Sequence, residues 1–180
     1  TPANSIICGA FVINLVFIVY VVWYDLRNGG EIYFKRSTDA GLTWGDDIRL
    51  TNNSGLSSHP SVAVSGMNVH VVWDDETIGD YKIYYKHSTD GGTSWEADMQ
   101  LTNNSAISWV PSVSVSGSVV HVVWSDKRNG ATGEIYYKRS TDGGVSWESD
   151  RRLTNDSFVS TNCSVNVSEH VVHIVWRDSR

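Results

Sequence analysis

Three aspartates occupy the same place in a turn sequence that the chain repeats, and a carboxylate is a common acid, base or metal ligand. Asp39, Asp90 and Asp142 each follow Ser-Thr and precede a glycine by two residues and a tryptophan by five. Three equivalent turns spread over a repeating fold do not converge on one substrate. We therefore predict a structural role: the aspartate accepts backbone hydrogen bonds, the glycine supplies positive φ, and the tryptophan packs beside a sheet. The turn residues are Asp39, Gly41, Trp44, Asp90, Gly92, Trp95, Asp142, Gly144 and Trp147.

A second motif, Trp-x-Asp, offers charged groups for ligand binding. Arg27 and Arg128 each lie two residues after its aspartate. A paired carboxylate and guanidinium could hold a sugar or an acid, and the alternative is an ion pair within the loop. The motif recurs at Trp23, Trp73, Trp124 and Trp176.

Trp109 is the tryptophan that belongs to neither repeated position. Exposed aromatic rings are common platforms for sugars, so Trp109 is the best single candidate for a ligand-binding residue. A packing role is the alternative.

Histidines recur three residues before the tryptophan of the Trp-x-Asp motif, at His70, His121 and His173. Because they fall in different repeats, we predict no shared metal site. His59 and His87 have no repeated counterpart and receive no role. The sequence thus predicts no metal, no cofactor and no catalytic residue.

The elements that carry these residues recur about every 51 residues, as from Trp44 to Trp95. Each repeat holds four short runs of β-branched and aromatic residues with turn signals between them, the fourth running from Trp95 to Thr102. A repeated four-stranded unit of this length predicts an all-β propeller blade. The predicted blades span about 5–53, 54–104 and 105–156, and a half-blade spans about 157–180.

The aspartate turn resembles the Asp box, or BNR repeat, of the sialidase-like β-propellers. The resemblance implies a propeller of four-stranded antiparallel blades, of which this chain holds about three and a half. It also implies that each box joins the third and fourth strands at the rim, away from the axis where such propellers bind ligands. Sialidases of this family use an arginine triad, a Tyr–Glu pair and an Arg-Ile-Pro motif. That motif does not occur here. Five tyrosines belong to a repeated strand, namely Tyr33, Tyr84, Tyr85, Tyr136 and Tyr137.

The composition limits the partners and the compartment. With 20 acidic and 14 basic residues, a net charge of -6 and no basic stripe, the chain is a poor candidate for binding nucleic acid. The many Asn, Ser and Thr residues favour an extracellular or cell-surface location. Glycosylation sequons lie at Asn52, Asn103, Asn155, Asn162 and Asn166.

The segment Ile6–Tyr24 is almost wholly apolar and is long enough to span a membrane. Its second half matches a repeated strand, so a strand pair is favoured over a membrane span. We expect residues 6–18 to lie in an intermolecular or fully covered contact. Cys8 and Cys163 form a candidate disulfide that would tie the two ends together or join neighbouring subunits.

Three functional hypotheses remain open at the level of the sequence. The first is a non-catalytic, extracellular surface, adhesion or assembly module, with glycans as one candidate ligand. The second is a fragment of an exo-sialidase-like glycoside hydrolase, and the third is a structural subunit completed in trans as a ring or filament. Because the last residues match the middle of a repeat, the expected partners are further copies or the remainder of the propeller.

Overall fold

Short antiparallel strands make up the fold of the computed structural model, which describes residues 17–76, 79–130 and 132–180. A 3-10 turn, Leu26–Asn28, follows the first strand. The strands are β1 Val19–Asp25, β2 Glu31–Ser37, β3 Ile48–Arg49, β4 Ser57–Ser65, β5 Asn68–Asp75, β6 Lys82–Ser88, β7 Met99–Gln100, β8 Ser108–Ser116, β9 Val119–Asp126, β10 Glu134–Ser140, β11 Arg151–Arg152, β12 Ser160–Ser168 and β13 Val171–Asp178.

Each sheet is a meander of strands that are neighbours in the chain. The first sheet is β1–β2–β3, the second β4–β5–β6–β7, the third β8–β9–β10–β11 and the fourth β12–β13. The pairs are antiparallel, as in Trp73 opposite Tyr84. The predicted all-β fold with four-stranded antiparallel sheets is confirmed; the blade boundaries stay a prediction.

The outer strand of each of the first three sheets is much shorter than the sequence predicts. In the second sheet β7 is only Met99–Gln100, although the apolar pattern suggested a strand from Trp95 to Thr102. The Thr102 hydroxyl accepts a hydrogen bond of 2.9 Å from the Ile83 N–H, and the Leu101 N–H donates to the Ile83 carbonyl at 2.7 Å. The side chain of Thr102 therefore replaces a backbone ladder bond and ends the strand.

The first strands of the last three sheets, β4, β8 and β12, lie side by side along the propeller axis. Serine hydroxyls tie these strands together: Ser61 accepts from the Val113 N–H at 3.2 Å, and Ser114 accepts from the Val167 N–H at 3.0 Å. Neighbouring sheets are thus joined at their first strands by hydrogen bonds between serine hydroxyls and backbone N–H groups.

The hydrophobic core is divided into layers between neighbouring sheets. Trp73 and Trp124, in the second strands, are fully buried, and they stack on Tyr84 and Tyr136 with ring centroids 6.0 and 6.1 Å apart. Strands covered on both faces need continuous apolar runs, which explains the repeated Val-Val-Trp of β5 and β9.

The aspartate turns close the hairpin between the third and fourth strands. In the third sheet the Asp142 carboxylate accepts from the Ser140 hydroxyl at 2.7 Å, the Ser146 N–H at 2.9 Å and the Ser146 hydroxyl at 2.5 Å. These hydrogen bonds hold the pKa of Asp142 at about 2. They stabilise the ionised carboxylate inside the turn.

The N-terminal predictions fall largely outside the described residues. Ile6 to Val16, including Cys8, are not described, and the later part of the candidate membrane segment forms β1. No helix in the described parts of the chain is long and apolar enough to cross a membrane.

Candidate functional site

A pocket of about 350 Å³ opens between the second and third sheets. Its walls come from the starts of β4 and β8, the ends of β5 and β9, and the loop before β6. The aspartate turns follow the ends of β6 and β10. Because the strands are antiparallel, the pocket lies at one end of each sheet and the aspartate turns lie at the other end. The lining residues are His59, Asp74, Tyr81, Ile107, Trp109 and Lys127.

Asp74 lies fully buried at the base of this pocket and has three donors. The Ser58 hydroxyl donates to Oδ1 at 2.5 Å, and the Val110 N–H donates to Oδ2 at 2.8 Å. His59 Nδ1 lies 2.9 Å from Oδ2. One carboxylate therefore joins the start of β4 to the start of β8 across the boundary between two sheets.

Burial raises the pKa of Asp74, and the hydrogen bonds from Ser58, Val110 and His59 act against that rise. A buried carboxylate is tolerated only when its lone pairs are used, as they are here. With Asp74 ionised, His59 Nδ1 is the donor and Nε2 carries the free lone pair that can accept a hydrogen bond. The His59 side chain is 56% exposed, so its outer edge is open to a ligand.

Trp109 lines the same pocket as His59, and Lys127 lies above its ring with the ammonium 5.5 Å from the ring centroid. The ring packs over the backbone of Gly133, where an added Cβ would lie 2.8 Å from the indole. Trp109 is thus held by its surroundings and half-buried. The pocket combines an aromatic surface, a cation and a histidine, which together suit a polar ligand with apolar faces.

A bulge at the start of each inner strand turns the pocket residues toward the opening. The pairing of β4 with β5 shifts between Ser58 and Ser61, and the equivalent shift in β8 lies between Trp109 and Ser112. Inside the bulges His59 and Val110 have φ values of 48° and 51°. Left-handed backbone is unfavourable for side chains with a Cβ, above all for valine, so tertiary packing must impose it.

The predicted arginine candidates lie in ion pairs within their own sheets. Arg128 contacts Asp126 at 2.7 Å and Asp150 at 2.6 Å, and its guanidinium lies 4.2 Å from the Tyr136 ring centroid. These two carboxylates raise the pKa of Arg128 against the effect of burial.

Arg27 has the same arrangement, with Asp25 at 2.8 Å and Asp47 at 2.9 Å. Neither Arg27 nor Arg128 lines the pocket of Trp109. The structure therefore places Trp109 in a pocket together with polar residues. Both arginines instead form ion pairs within their loops, which was the alternative to ligand binding.

The remaining predicted sites are spread over the surface and the core. The five sequon asparagines are exposed. Cys163 is buried against the third sheet, and burial raises the pKa of its thiol to about 12. No group of three or more His, Cys, Asp or Glu side chains within the described residues is placed to hold a metal ion.

Sequence reasoning missed His59, Asp74, Tyr81 and Lys127. A usable signal existed in the middle position of the Trp-x-Asp motif, which is an aspartate, Asp74, in the second repeat alone. His59 has no histidine at its counterparts in β8 and β12, so it too breaks the repeat. In this chain the residues that break the repeat, His59 and Asp74, line the pocket, whereas the repeated Arg27 and Arg128 do not.

Comparison with solved structures places the fold among β-propeller glycoside hydrolases. The Hadza microbial sialidase Hz136 matches 90% of this chain with a TM-score of 0.70 and 15% identity, over 40% of its own length. A Trypanosoma rangeli sialidase mutant matches 89% of this chain with a TM-score of 0.64 and 17% identity, over 32% of its length. A Penicillium chrysogenum α-L-arabinanase in complex with arabinobiose matches 83% of this chain with a TM-score of 0.59 and 15% identity, over 49% of its length.

No protein-family profile matches the sequence, and no curated protein sequence matches it. The chain spans less than half the length of each of the three structures named above. At these identities the likeness concerns the fold. The four sheets, their inner strands and these neighbours together show that the chain has a sialidase-like β-propeller fold.

Proposed function

We propose that this protein binds a carbohydrate in the pocket between the second and third sheets and acts as a non-catalytic surface or assembly module. The observation that supports this most strongly is the convergence of Trp109, Lys127 and the His59–Asp74 pair on one opening. Its volume of about 350 Å³ is near the lower end for ligand pockets and suits one or two sugar rings.

The chemistry of the lining fits the two kinds of surface that a sugar presents. The apolar C–H face of a pyranose or furanose packs against an aromatic ring, for which Trp109 is held in place by Gly133 and Lys127. Hydroxyl groups need donors and acceptors at the rim, which Lys127 and His59 Nε2 supply.

Asp74 supports binding by positioning its neighbours. Both of its oxygens are already within hydrogen-bond distance of protein donors, namely Ser58, His59 and the Val110 N–H. A carboxylate engaged in this way orients the imidazole and fixes the bulge of β8, and it is not free to attack or protonate a glycosidic bond.

The test is binding to a glycan array that carries neutral and acidic oligosaccharides, followed by calorimetric titration with the strongest hit. Arabinobiose and sialyllactose are included because the structural neighbours are an arabinanase and sialidases. Trp109→Ala removes the stacking surface and should weaken binding at least about tenfold, which corresponds to about 1.4 kcal/mol. His59→Gln should weaken it by a smaller factor.

Trp44→Ala is the matched control, because Trp44 is also partly exposed at 42% but lies in an aspartate turn at the far end of the strands. The control should bind as the unaltered protein does. Equal affinity of the Trp109 variant, or no array signal from the unaltered protein, would contradict the proposal.

A second candidate function is that of part of a sialidase-like glycoside hydrolase. It is favoured by the structural neighbours, each of which has more than half of its length outside the match. The test is whether this chain releases 4-methylumbelliferone from its sialoside or arabinofuranoside. If it does, and if Asp74→Asn abolishes the release, the function of the site is hydrolysis and not binding alone.

We also propose that the protein is extracellular and glycosylated. The five sequon asparagines are exposed, and the surface is rich in small polar residues. Peptide mass spectrometry of native material before and after peptide-N-glycosidase treatment tests it. Unmodified asparagine at all five sequons would remove glycosylation from the proposal.

A further inference from the structure

The first boundary, between the first and second sheets, and the second boundary, between the second and third sheets, are built from the same parts. Trp95, from the aspartate turn of the second sheet, packs edge-on against Phe34 of the first sheet, with ring centroids 5.0 Å apart. Trp147, from the turn of the third sheet, packs against Tyr85 of the second sheet at the same distance. Because the chain builds this boundary twice, a difference between the two copies shows which group one of them lacks.

An arginine fills the first boundary beside the aspartate turn. Arg36 Nη1 donates to the Gly91 carbonyl at 2.6 Å, across the gap between the two sheets. The turn is crowded at this point. A Cβ added to Gly91 would lie 2.7 Å from the Met67 methyl, 3.3 Å from the same Arg36 Nη1 and 3.4 Å from the Tyr20 hydroxyl. The guanidinium is thus a packed part of the first boundary.

The second boundary has a histidine at the position of this arginine. His87 precedes the final serine of β6, as Arg36 precedes that of β2. The imidazole is shorter than an arginine side chain, and it stacks beside the Tyr85 ring with centroids 5.6 Å apart and an interplanar angle of 22°. A Cβ added to Gly143, the counterpart of Gly91, would meet nothing within 4 Å. The space that the guanidinium fills at the first boundary is therefore open at the second.

A pocket of about 360 Å³ lies at this place in the second boundary. His87 and Glu96 supply polar side chains to it, and Met99 and Val145, which are 37% and 69% exposed, supply apolar ones. The pocket lies at the end of the sheets that carries the aspartate turns, and its described lining residues do not overlap with those of the pocket of Trp109. The second boundary thus contains a separate pocket with room for a short alkyl chain and a charged head.

Glu96 is a candidate acceptor for a cation in this pocket. Its counterpart in the third sheet, Glu148, accepts from Arg139 Nε at 2.7 Å, and Arg139 has the position of His87 in its own strand. Within the described residues Glu96 forms no ion pair. The first and third sheets therefore each hold an arginine with its acceptor, whereas the second sheet holds an acceptor and a histidine.

The carbonyl of the turn is a second candidate acceptor. The Tyr85 hydroxyl donates to the Gly143 carbonyl at 3.4 Å, a long contact beside the 2.6 Å between Arg36 and the equivalent carbonyl of Gly91. A carbonyl oxygen has two lone pairs and can accept a further hydrogen bond. The second boundary thus offers a carboxylate and a carbonyl next to one pocket.

We propose that the pocket of His87 and Glu96 binds an alkylguanidinium group, the group that an arginine supplies from within the chain at the first boundary. The guanidinium is planar and carries five N–H donors, so it has donors for both the Glu96 carboxylate and the Gly143 carbonyl. Its methylene stem packs against Met99 and Val145. The source of the group is either a small free guanidine or an arginine side chain of a polypeptide. This site is separate from the carbohydrate pocket, so either proposal can fail without the other.

Titrations of the whole 180-residue chain, followed by two-dimensional ¹⁵N NMR, test the proposal. The probes are agmatine, which is a free alkylguanidinium, and the capped tripeptide acetyl-Gly-Arg-Gly-amide. We expect shifts of the Glu96, Gly144 and Val145 amide signals and a dissociation constant on the order of 1 mM, since an ion pair at a partly exposed site contributes little. The same tripeptide with lysine should bind at least about fivefold more weakly, because an ammonium lacks the planar fork of donors.

Three variants locate the probe. His87→Arg places an arginine in the pocket as at the first boundary, so it should abolish binding of agmatine and raise the melting temperature. Glu96→Gln removes a charge at an exposed position and should weaken binding at least about fivefold. Glu148→Gln, the matched control in the third sheet, should bind agmatine as the unaltered protein does. Thermal melts check that all three variants remain folded.

The two probes decide the source of the guanidinium group. Tighter binding of agmatine supports a small guanidine, and tighter binding of the arginine tripeptide supports a polypeptide side chain. Three results would overturn the proposal: no shift of the pocket amides at about 20 mM of either probe, equal binding of the lysine tripeptide, or binding that persists unchanged in both His87→Arg and Glu96→Gln.

Discussion

Single carboxylates and histidines in this protein take their properties from burial and from the number of donors around them. Asp142 is exposed to solvent and accepts from its own turn, which holds its pKa at about 2, whereas burial raises the pKa of Asp74 despite three donors. His70 is a further case, because it is buried beside Tyr85 and His87. Residue type alone therefore assigns no role. Asp142 stabilises a turn, whereas Asp74 lies buried at the bottom of a pocket.

His70 should make the fold sensitive to acid. Burial lowers its pKa from 6.5 to about 4, with a smaller effect of His87, so the neutral ring is the folded form. Between those two values the unfolded chain binds a proton that the folded chain does not, and stability falls as the pH falls. From pH 7 to pH 4.5 this single group should lower the free energy of unfolding by about 2 kcal/mol.

Urea unfolding of the unaltered protein and of His70→Gln at both pH values measures this effect. Glutamine keeps a hydrogen-bonding group near the Tyr85 hydroxyl but does not titrate. The variant should lose about 2 kcal/mol less unfolding free energy than the unaltered protein over that interval. Parallel losses in the two proteins would show that other groups carry the acid sensitivity.

At the scale of elements, the aspartate turn links the hairpin of one sheet to the face of the preceding one. The two glycines of the third-sheet turn differ in this respect. Gly143 has a φ of +77° and open space where a Cβ would lie, whereas Gly144 has a φ of +94° and a Cβ there would overlap the Tyr85 ring and hydroxyl. The second glycine of the motif is needed for close approach as well as for its backbone conformation.

Gly144→Ala should therefore destabilise the protein more than Gly143→Ala. The positive φ alone costs about 1 kcal/mol in either variant. The overlap with Tyr85 should bring the cost of Gly144→Ala to about 3 kcal/mol. Urea unfolding of both variants provides the measurement, and equal losses would mean that the sheet boundary relaxes freely around the turn.

At the scale of the whole molecule, the sheets radiate from inner strands joined by serine hydroxyls, with the aspartate turns at one end of the strands and the pocket at the other. Internal sheets are covered on both faces, and the fourth sheet is open at β13 within the described residues. Stability should thus vary across the propeller, since burial and strand pairing set the free energy of local opening.

Hydrogen exchange followed by mass spectrometry should detect this gradient. Peptides covering β5 and β9 should exchange at least about tenfold more slowly than a peptide covering β13, because among the described strands β5 and β9 have a neighbour on each side and β13 has one. Uniform protection across the three strands would contradict an open edge at β13.

Much of the fold could be predicted from the sequence, because each repeat specifies its strands locally. Val-His-Val-Val-Trp and Ile-Tyr-Tyr-Lys are strands by composition, and the Ser-Thr-Asp-x-Gly turns connect them. The short outer strand could not be predicted, since it depends on a hydroxyl, that of Thr102, replacing a ladder bond. The backbone bulges at His59 and Val110 were equally hidden, because positive φ is uncommon in residues other than glycine.

The sequence by itself determined the all-β repeat, the turn chemistry and the choice of Trp109 as the residue outside the pattern. Only the tertiary structure decided that His59, Asp74 and Lys127 join Trp109 in one pocket, and that Trp95 and Trp147 pack against the preceding sheet. It also decided that β13 has an open edge within the described residues. The physical reason is that strands and turns follow from neighbours in the chain. The pocket and the boundaries instead join residues from different repeats, whose approach depends on how whole sheets pack around the axis.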